Sequence, residues 1–139
     1  MLQISTQFPA KLRQRGRTGG QVTVQMQLEL TDPFAVGLII LQDDGGYGWT
    51  ISAEDLNAAL KNPRQDFGLG EIKIKLEKSS GIVRIILPTG GDQRIRLRCP
   101  AGEIDQFVRC INQVVKVNGL LTQYLDGGYS AIEAMLGSQ

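Results

Sequence analysis

A stretch of strict two-residue alternation constrains the fold of this chain more than any other feature. Residues 21–30, QVTVQMQLEL, place apolar side chains at every second position and mostly polar ones between them. Side chains of a β-strand alternate between the two faces of a sheet, so this pattern predicts a half-buried strand. Because proline cannot donate a ladder hydrogen bond, Thr31-Asp32-Pro33 is predicted to end it.

Residues 34–63 are predicted to complete a meander and to form the first helix. Residues 34–41 form a continuous apolar run that is typical of a central strand. A turn is predicted at 43–46, where two aspartates precede two glycines, and residues 47–51 form the returning strand. Ser52 is a helix N-cap candidate, and Asn62-Pro63 is expected to end that helix.

The second half of the chain repeats this layout without repeating the sequence. Three strands are predicted, at 71–77, 81–87 and 93–98. A second helix is expected from Pro100 to Asn118-Gly119, and a last short helix near 129–136. The order strands, helix, strands, helix predicts an α+β fold with two antiparallel β-sheets covered by helices.

The length indicates one domain over residues 1–139. The formal net charge is +1. The first 20 residues contain no acid and four cations, and are expected to be a mobile basic arm or a hairpin: Lys11, Arg13, Arg15 and Arg17. The start lacks a signal-peptide pattern, and no apolar run has the roughly 20 residues that a membrane helix needs. We therefore expect a cytoplasmic protein without membrane insertion.

The residues that commonly perform catalysis are scarce. The chain has no histidine, which removes the commonest general base and transition-metal ligand. Cys99 and Cys110 are too few for a zinc site and are expected to be buried reduced thiols. No phosphate-binding glycine motif is present. We therefore predict no catalytic residue, cofactor site or metal site, and no enzyme activity.

A set of basic residues is predicted to share one sheet face. They occupy alternate positions in two of the predicted strands: Lys73, Lys75, Arg94, Arg96 and Arg98. Three interpretations are open, namely a solvated face, a protein contact and a surface for single-stranded nucleic acid. Glu29, Glu71 and Glu77 could neutralise part of this charge.

One segment, LELTDPFAV at 28–36, resembles the strand–turn–strand signature of the SsgA-like proteins, actinobacterial regulators of sporulation-specific cell division. Its specific part is Asp32, Pro33, Phe34, Ala35 and Val36. A similarity of pattern and spacing covers about residues 20–136, and it includes Trp49, Glu54, Leu56 and Leu60.

The chain also departs from the usual family pattern. Ala53 stands where a basic residue is usual, and Cys110-Ile111 stands where Arg-Thr is usual. Val114-Val115 replaces a Val-Pro pair, and without that proline the second helix is expected to continue.

The resemblance implies a Whirly-like fold, a homotrimer and a non-enzymatic adaptor at the division septum, with FtsZ or SsgA-like division proteins as partners. Asp32 and Pro33 are expected to form a tight turn, and Trp49 to lie in the core or a subunit interface. A further candidate interface lies in the tail, where apolar side chains need burial: Leu120, Leu121, Tyr124 and Leu125. The alternative is a single-stranded nucleic-acid-binding protein of the same fold.

Overall fold

The computed structural model describes residues 3–14, 17–43 and 45–127, with the side chains of these residues except 17–18 and 120–127. The helices and strands in this part of the chain are, in order, β1 (Gln3–Gln14), β2 (Arg17–Glu29), β3 (Ala35–Gln42), β4 (Gly45–Ser52), α1 (Ala53–Lys61), β5 (Lys73–Glu77), β6 (Ile82–Pro88), β7 (Arg94–Pro100) and α2 (Ala101–Gly127).

The described strands form one antiparallel seven-stranded sheet, in the order β4-β3-β2-β1-β7-β6-β5. The predicted α+β class is confirmed, but the two groups of strands are continuous rather than separate sheets. They are joined by β1, which pairs with β2 along most of its length and with β7 over residues 11–14. This pairing removes two exposed sheet edges, which would otherwise be open to association.

β1 comes from the segment that was expected to be a mobile arm or a hairpin, and it forms a hairpin with β2. Its residues alternate between exposed and more buried positions, with Phe8 and Ala10 in the core and Lys11 and Arg13 on the outer face. Pro9 is tolerated because β1 has no β7 partner at that position.

The inner face of the sheet and the two helices enclose one apolar core. Every described element contributes buried side chains, such as Phe8, Val24, Leu38, Ile51, Leu56, Ile74, Ile85, Leu97 and Ile104. Burying one side chain of this size contributes about 1.5–3 kcal/mol relative to leaving it in water. The alternation seen in the sequence is therefore explained by one face of each strand lying against this core.

The sheet curls around the core. Trp49 on β4 donates a hydrogen bond from Nε1 to the carbonyl oxygen of Pro88 on β6, over 2.8 Å. Four strands lie between β4 and β6 in the sheet order. Contact between strands so far apart in the sheet makes its inner face concave and its outer face convex.

α1 begins and ends as predicted. The Ser52 hydroxyl accepts a hydrogen bond from the Asp55 backbone N–H at 3.2 Å, and Asn62 follows the last helical residue. Glu54 and Asp55 lie in the first turn and Lys61 in the last, an arrangement that the helix dipole favours.

α2 differs from its predicted bounds. Pro100 is the last residue of β7, and α2 continues through Asn118 and Gly119 to Gly127. The predicted stop is wrong because Gly119 does not adopt the positive φ of a helix-ending glycine. The expected continuation of the helix through Val114-Val115 is confirmed. The helix predicted near 129–136 lies outside the described residues. Neither described helix has the length and apolarity that a membrane span requires.

Candidate functional site

The turn between β2 and β3 contains the specific part of the family resemblance. The Asp32 backbone N–H donates to the Glu29 carbonyl oxygen at 3.0 Å, and the Ala35 backbone N–H donates to the Asp32 carbonyl oxygen at 3.4 Å, which closes the predicted tight turn around Pro33. Val36 is buried at the start of β3. Phe34, which was predicted to belong to the central strand, instead precedes β3 and is 77% exposed.

This turn lies against the start of α1. The Phe34 carbonyl oxygen accepts a hydrogen bond from the Ala53 backbone N–H at 2.9 Å, which places Glu54 beside the turn. The exposed side chains at this position combine one large apolar ring with two carboxylates. We call the surface of Asp32, Phe34 and Glu54 the motif corner.

The other residues that carry the resemblance are mainly structural. Leu56 is fully buried, and Leu60 packs against the core from the same helix. Trp49 is half-buried and also packs against the core, in addition to its hydrogen bond to Pro88. The expectation that Trp49 lies in the core is thereby confirmed in part.

A cavity of about 610 Å³ opens beside Trp49. Its walls combine apolar, aromatic and amide side chains: Leu12, Gln14, Ile40, Gln42, Tyr47, Trp49, Pro88, Thr89 and Ile95. These residues supply apolar contacts and hydrogen bonds but no carboxylate, amine or thiol. Such walls suit binding rather than acid–base chemistry.

Cations from four neighbouring strands share the outer face of the sheet. Directly opposed residues of antiparallel strands lie on the same face. One row of opposed residues crosses β5, β6, β7 and β1: Lys75, Arg84, Arg98 and Lys11. A second row crosses the same strands: Lys73, Ile86, Arg96 and Arg13. We call the cations of both rows, together with Arg94, the basic face.

The predicted sharing of one face is confirmed for Lys73, Lys75, Arg94, Arg96 and Arg98. Three members of the basic face were not predicted from the sequence. Lys11 and Arg13 were assigned to an arm rather than to a strand of the same sheet. Arg84 was overlooked because the segment around it is mostly apolar, although its position between Val83 and Ile85 in the alternation was a usable signal.

Two carboxylates pair with part of the basic face. Glu77 lies 3.6 Å from Arg84 and 3.8 Å from Arg98, and Glu71 lies 3.5 Å from Arg94. The charged side chains in these pairs are between 31% and 60% exposed, and ion pairs with this much exposure contribute little to stability. Among the described residues, the other five cations of the face make no ion pair within 4.0 Å: Lys11, Arg13, Lys73, Lys75 and Arg96.

The described part of the interior contains no charged group for chemistry. No polar or charged side chain is buried in the part of the chain whose side chains are described, and none of its acidic or cysteine residues cluster in a way that could hold a metal. Burial raises the pKa of the Cys99 thiol to about 12, which keeps it protonated and unreactive. Cys110, which was expected to be buried, is exposed on α2.

The tail positions are helical in their backbone, because α2 includes residues 120–127. The candidate interface there falls on side chains outside the described ones: Leu120, Leu121, Tyr124 and Leu125.

Known structures share this architecture. SsgB, whose mutations correlate with longitudinal cell division during sporulation of Streptomyces coelicolor, superposes with a TM-score of 0.70 at 19% identity, over 82% of this chain and 89% of that one. An SsgA-like sporulation-specific cell division protein from Thermobifida fusca superposes with a TM-score of 0.70 at 18% identity, over 99% of this chain and 95% of that one. This chain has their fold.

The resemblance drawn from residues 32–36 is therefore confirmed at the level of the fold. No family model matches the chain, and no curated protein matches its sequence. Because a shared fold does not by itself determine function, each surface needs its own functional test.

Proposed function

We propose that this protein is a regulator of cell division and sporulation of the SsgA-like type. It acts in the cytoplasm at septum sites, without catalysis, as an adaptor that binds proteins of the division machinery. The observation that carries the proposal is the shared fold, which extends over 99% of this chain in the SsgA-like division protein. The Asp32–Val36 segment, which resembles that family's signature, lies at the surface turn of the same fold.

The motif corner is the surface that best fits a protein partner. Phe34 is an aromatic side chain exposed without any packing role that would require it, and aromatic anchors dominate the energetics of protein interfaces. Asp32 and Glu54 surround it with negative charge, which favours a partner that presents cations beside an apolar pocket. FtsZ and SsgA-like division proteins are the partners that the resemblance implies.

The test is the localisation of a fluorescent fusion in a sporulating actinobacterium, with FtsZ imaged in the same cells. We expect the wild-type fusion to appear at future septa and Phe34→Ala to become diffuse, because the variant removes the aromatic anchor without disturbing the core. Leu69→Ala is the matched control, since Leu69 is equally exposed at 75% but lies in another loop. Diffuse wild-type signal, with septum placement unchanged on deletion and on overexpression, would refute the proposal.

A further inference from the structure

More than half of the cations of this chain lie on one surface. The basic face contains eight Lys and Arg side chains, out of 15 in the whole sequence. The whole chain has a formal net charge of only +1, so the positive charge of the basic face is a local concentration and not a property of the whole chain. A local field of one sign attracts oppositely charged partners even where the net charge is small.

The arrangement of these cations is unfavourable in the isolated protein. Like charges at directly opposed positions of neighbouring strands destabilise a sheet. Here the row from Lys75 to Lys11 contains four such residues in succession, and only Glu77 approaches two of them. A bound polyanion would remove this repulsion, which gives the basic face a physical reason to bind one.

The spacing and shape of the face favour a flexible strand of phosphates. Neighbouring strands lie about 4.8 Å apart, so the four-cation row spans about 14 Å, and same-face residues along one strand recur about every 6.7 Å. Because the sheet curls inward towards the core, the basic face is convex. A rigid duplex would touch a convex surface along one line only, whereas a single strand can follow it.

A cleft at the Lys11 end of the four-cation row offers space beside the phosphates. It measures about 290 Å³ and opens where β1 and β7 cease to pair. Lys11 and Arg98 line it together with apolar side chains from three strands: Pro9, Ile82 and Pro100. A base or sugar could lie against these apolar side chains while adjoining phosphates contact the two cations.

We propose that the basic face binds single-stranded nucleic acid through its phosphate backbone, without sequence preference. This inference does not rest on the proposed role in division, because it uses a different surface. The described strands place no aromatic side chain on this face, so stacking of bases on rings contributes nothing there. The affinity is therefore electrostatic, and it falls steeply as salt is added.

The test is fluorescence anisotropy of a labelled oligo-dT, titrated with the full-length protein at several salt concentrations. Single strands release about 0.7 counterions per neutralised phosphate, so contacts by the four-cation row predict a log–log salt slope of about −3. Removing Lys11 and Lys75 together by substitution to Gln is expected to lower affinity at least about tenfold at low salt and to reduce the slope by about 1.4.

The matched control removes the same charge elsewhere. Lys61→Gln combined with Lys116→Gln changes two exposed cations of the helices and should leave affinity and slope nearly unchanged. Equal loss in both double variants would show a general charge effect and overturn the assignment to this face. Tighter binding to a duplex of the same length, tighter binding to polyglutamate, or no binding at low salt would each overturn it as well.

Discussion

Trp49 holds the edge strand β4 against the end of β6 through one side-chain hydrogen bond. The donor is half-buried, and the acceptor is the Pro88 carbonyl oxygen, at 2.8 Å. Trp49→Phe retains an aromatic ring, but it removes the N–H and part of the ring that packs against the core, so it leaves this carbonyl without its partner. We expect a loss of at least about 1 kcal/mol in the free energy of unfolding.

The measurement for Trp49→Phe is urea unfolding followed by circular dichroism, because Trp49 is the only tryptophan available as a fluorescent probe. Tyr47→Phe is the control, since Tyr47 lies on the same strand and is 60% exposed. It should change stability by less than about 0.5 kcal/mol. An equal effect of the two substitutions would show that the Trp49 hydrogen bond does not fasten the sheet.

The two thiols differ in exposure, and this difference predicts their reactivity. The raised pKa of Cys99, about 12, keeps it as a neutral thiol at neutral pH, and the thiolate is the reactive form. Cys110 lies exposed on α2. At pH 8 a thiol reagent should modify one cysteine of the native protein and both in denaturant, and Cys110→Ser should abolish the native reaction. Rapid native modification of Cys99 would contradict the packing of β7 against the core.

Among the elements, the alternating strands could be predicted from sequence, because each has one face against the same core. β1 was harder to recognise because Thr6 and Ala10 are weak hydrophobic signals and because Pro9 argues against a central strand. The joining of two sheets into one depends on β1 meeting β7, about 85 residues later in the chain. Local periodicity contains no information about such a distant register.

The positions of residues on the outer face of the sheet could be predicted only where the strands themselves could be predicted. Alternation correctly placed Lys73 and Arg96 on one face, because both belong to strands with clear apolar partners. It could not place Arg13 beside Arg96, since that contact again depends on β1 and β7. The motif corner was recognised by its sequence, but the exposure of Phe34 follows from where β3 starts. The continuous apolar run of residues 34–41 does not show at which residue β3 begins.

The continuity of α2 gives a prediction at Gly119. Glycine inside a helix costs about 0.5–1 kcal/mol relative to alanine, and a Cβ here would meet nothing within 4 Å. Gly119→Ala should therefore stabilise the outer part of the helix and slow amide hydrogen exchange over residues 112–127 up to about fivefold. If the helix ended at this glycine in a left-handed conformation, alanine would accelerate exchange instead.

Gly81→Ala is the control for this prediction. Gly81 has a φ of 65° in the turn between β5 and β6, where the added Cβ would also meet nothing. Alanine is disfavoured in that conformation by about 1 kcal/mol or more, so this variant should lose stability. A gain of stability for Gly119→Ala together with a loss for Gly81→Ala would show that backbone conformation, and not the space around the glycine, determines the effect.

At the scale of the whole molecule, α2 exposes most of its described side chains beyond Ile111. Ile111 is the last buried residue among the described side chains of the helix, and Val114 is half-buried. The other described side chains from 112 to 119 are exposed, and they include Val115 at 39% and Val117 at 54%. A helix that exposes apolar side chains beyond its own core is stabilised when a second surface covers them.

We expect this surface to lie in an interface between copies of the chain, forming the homotrimer that the resemblance implies. Val117→Lys places a charge in that interface and should shift the mass measured by light scattering from trimer to monomer, because an unpaired charge is costly to bury. Asn112→Lys adds the same charge at an exposed polar position that lies about 140° around the same helix from Val117, and it should leave the trimer intact. A monomeric wild-type protein at micromolar concentration would contradict the trimer outright. Dissociation by both variants would attribute the effect to charge on α2 rather than to burial of Val117.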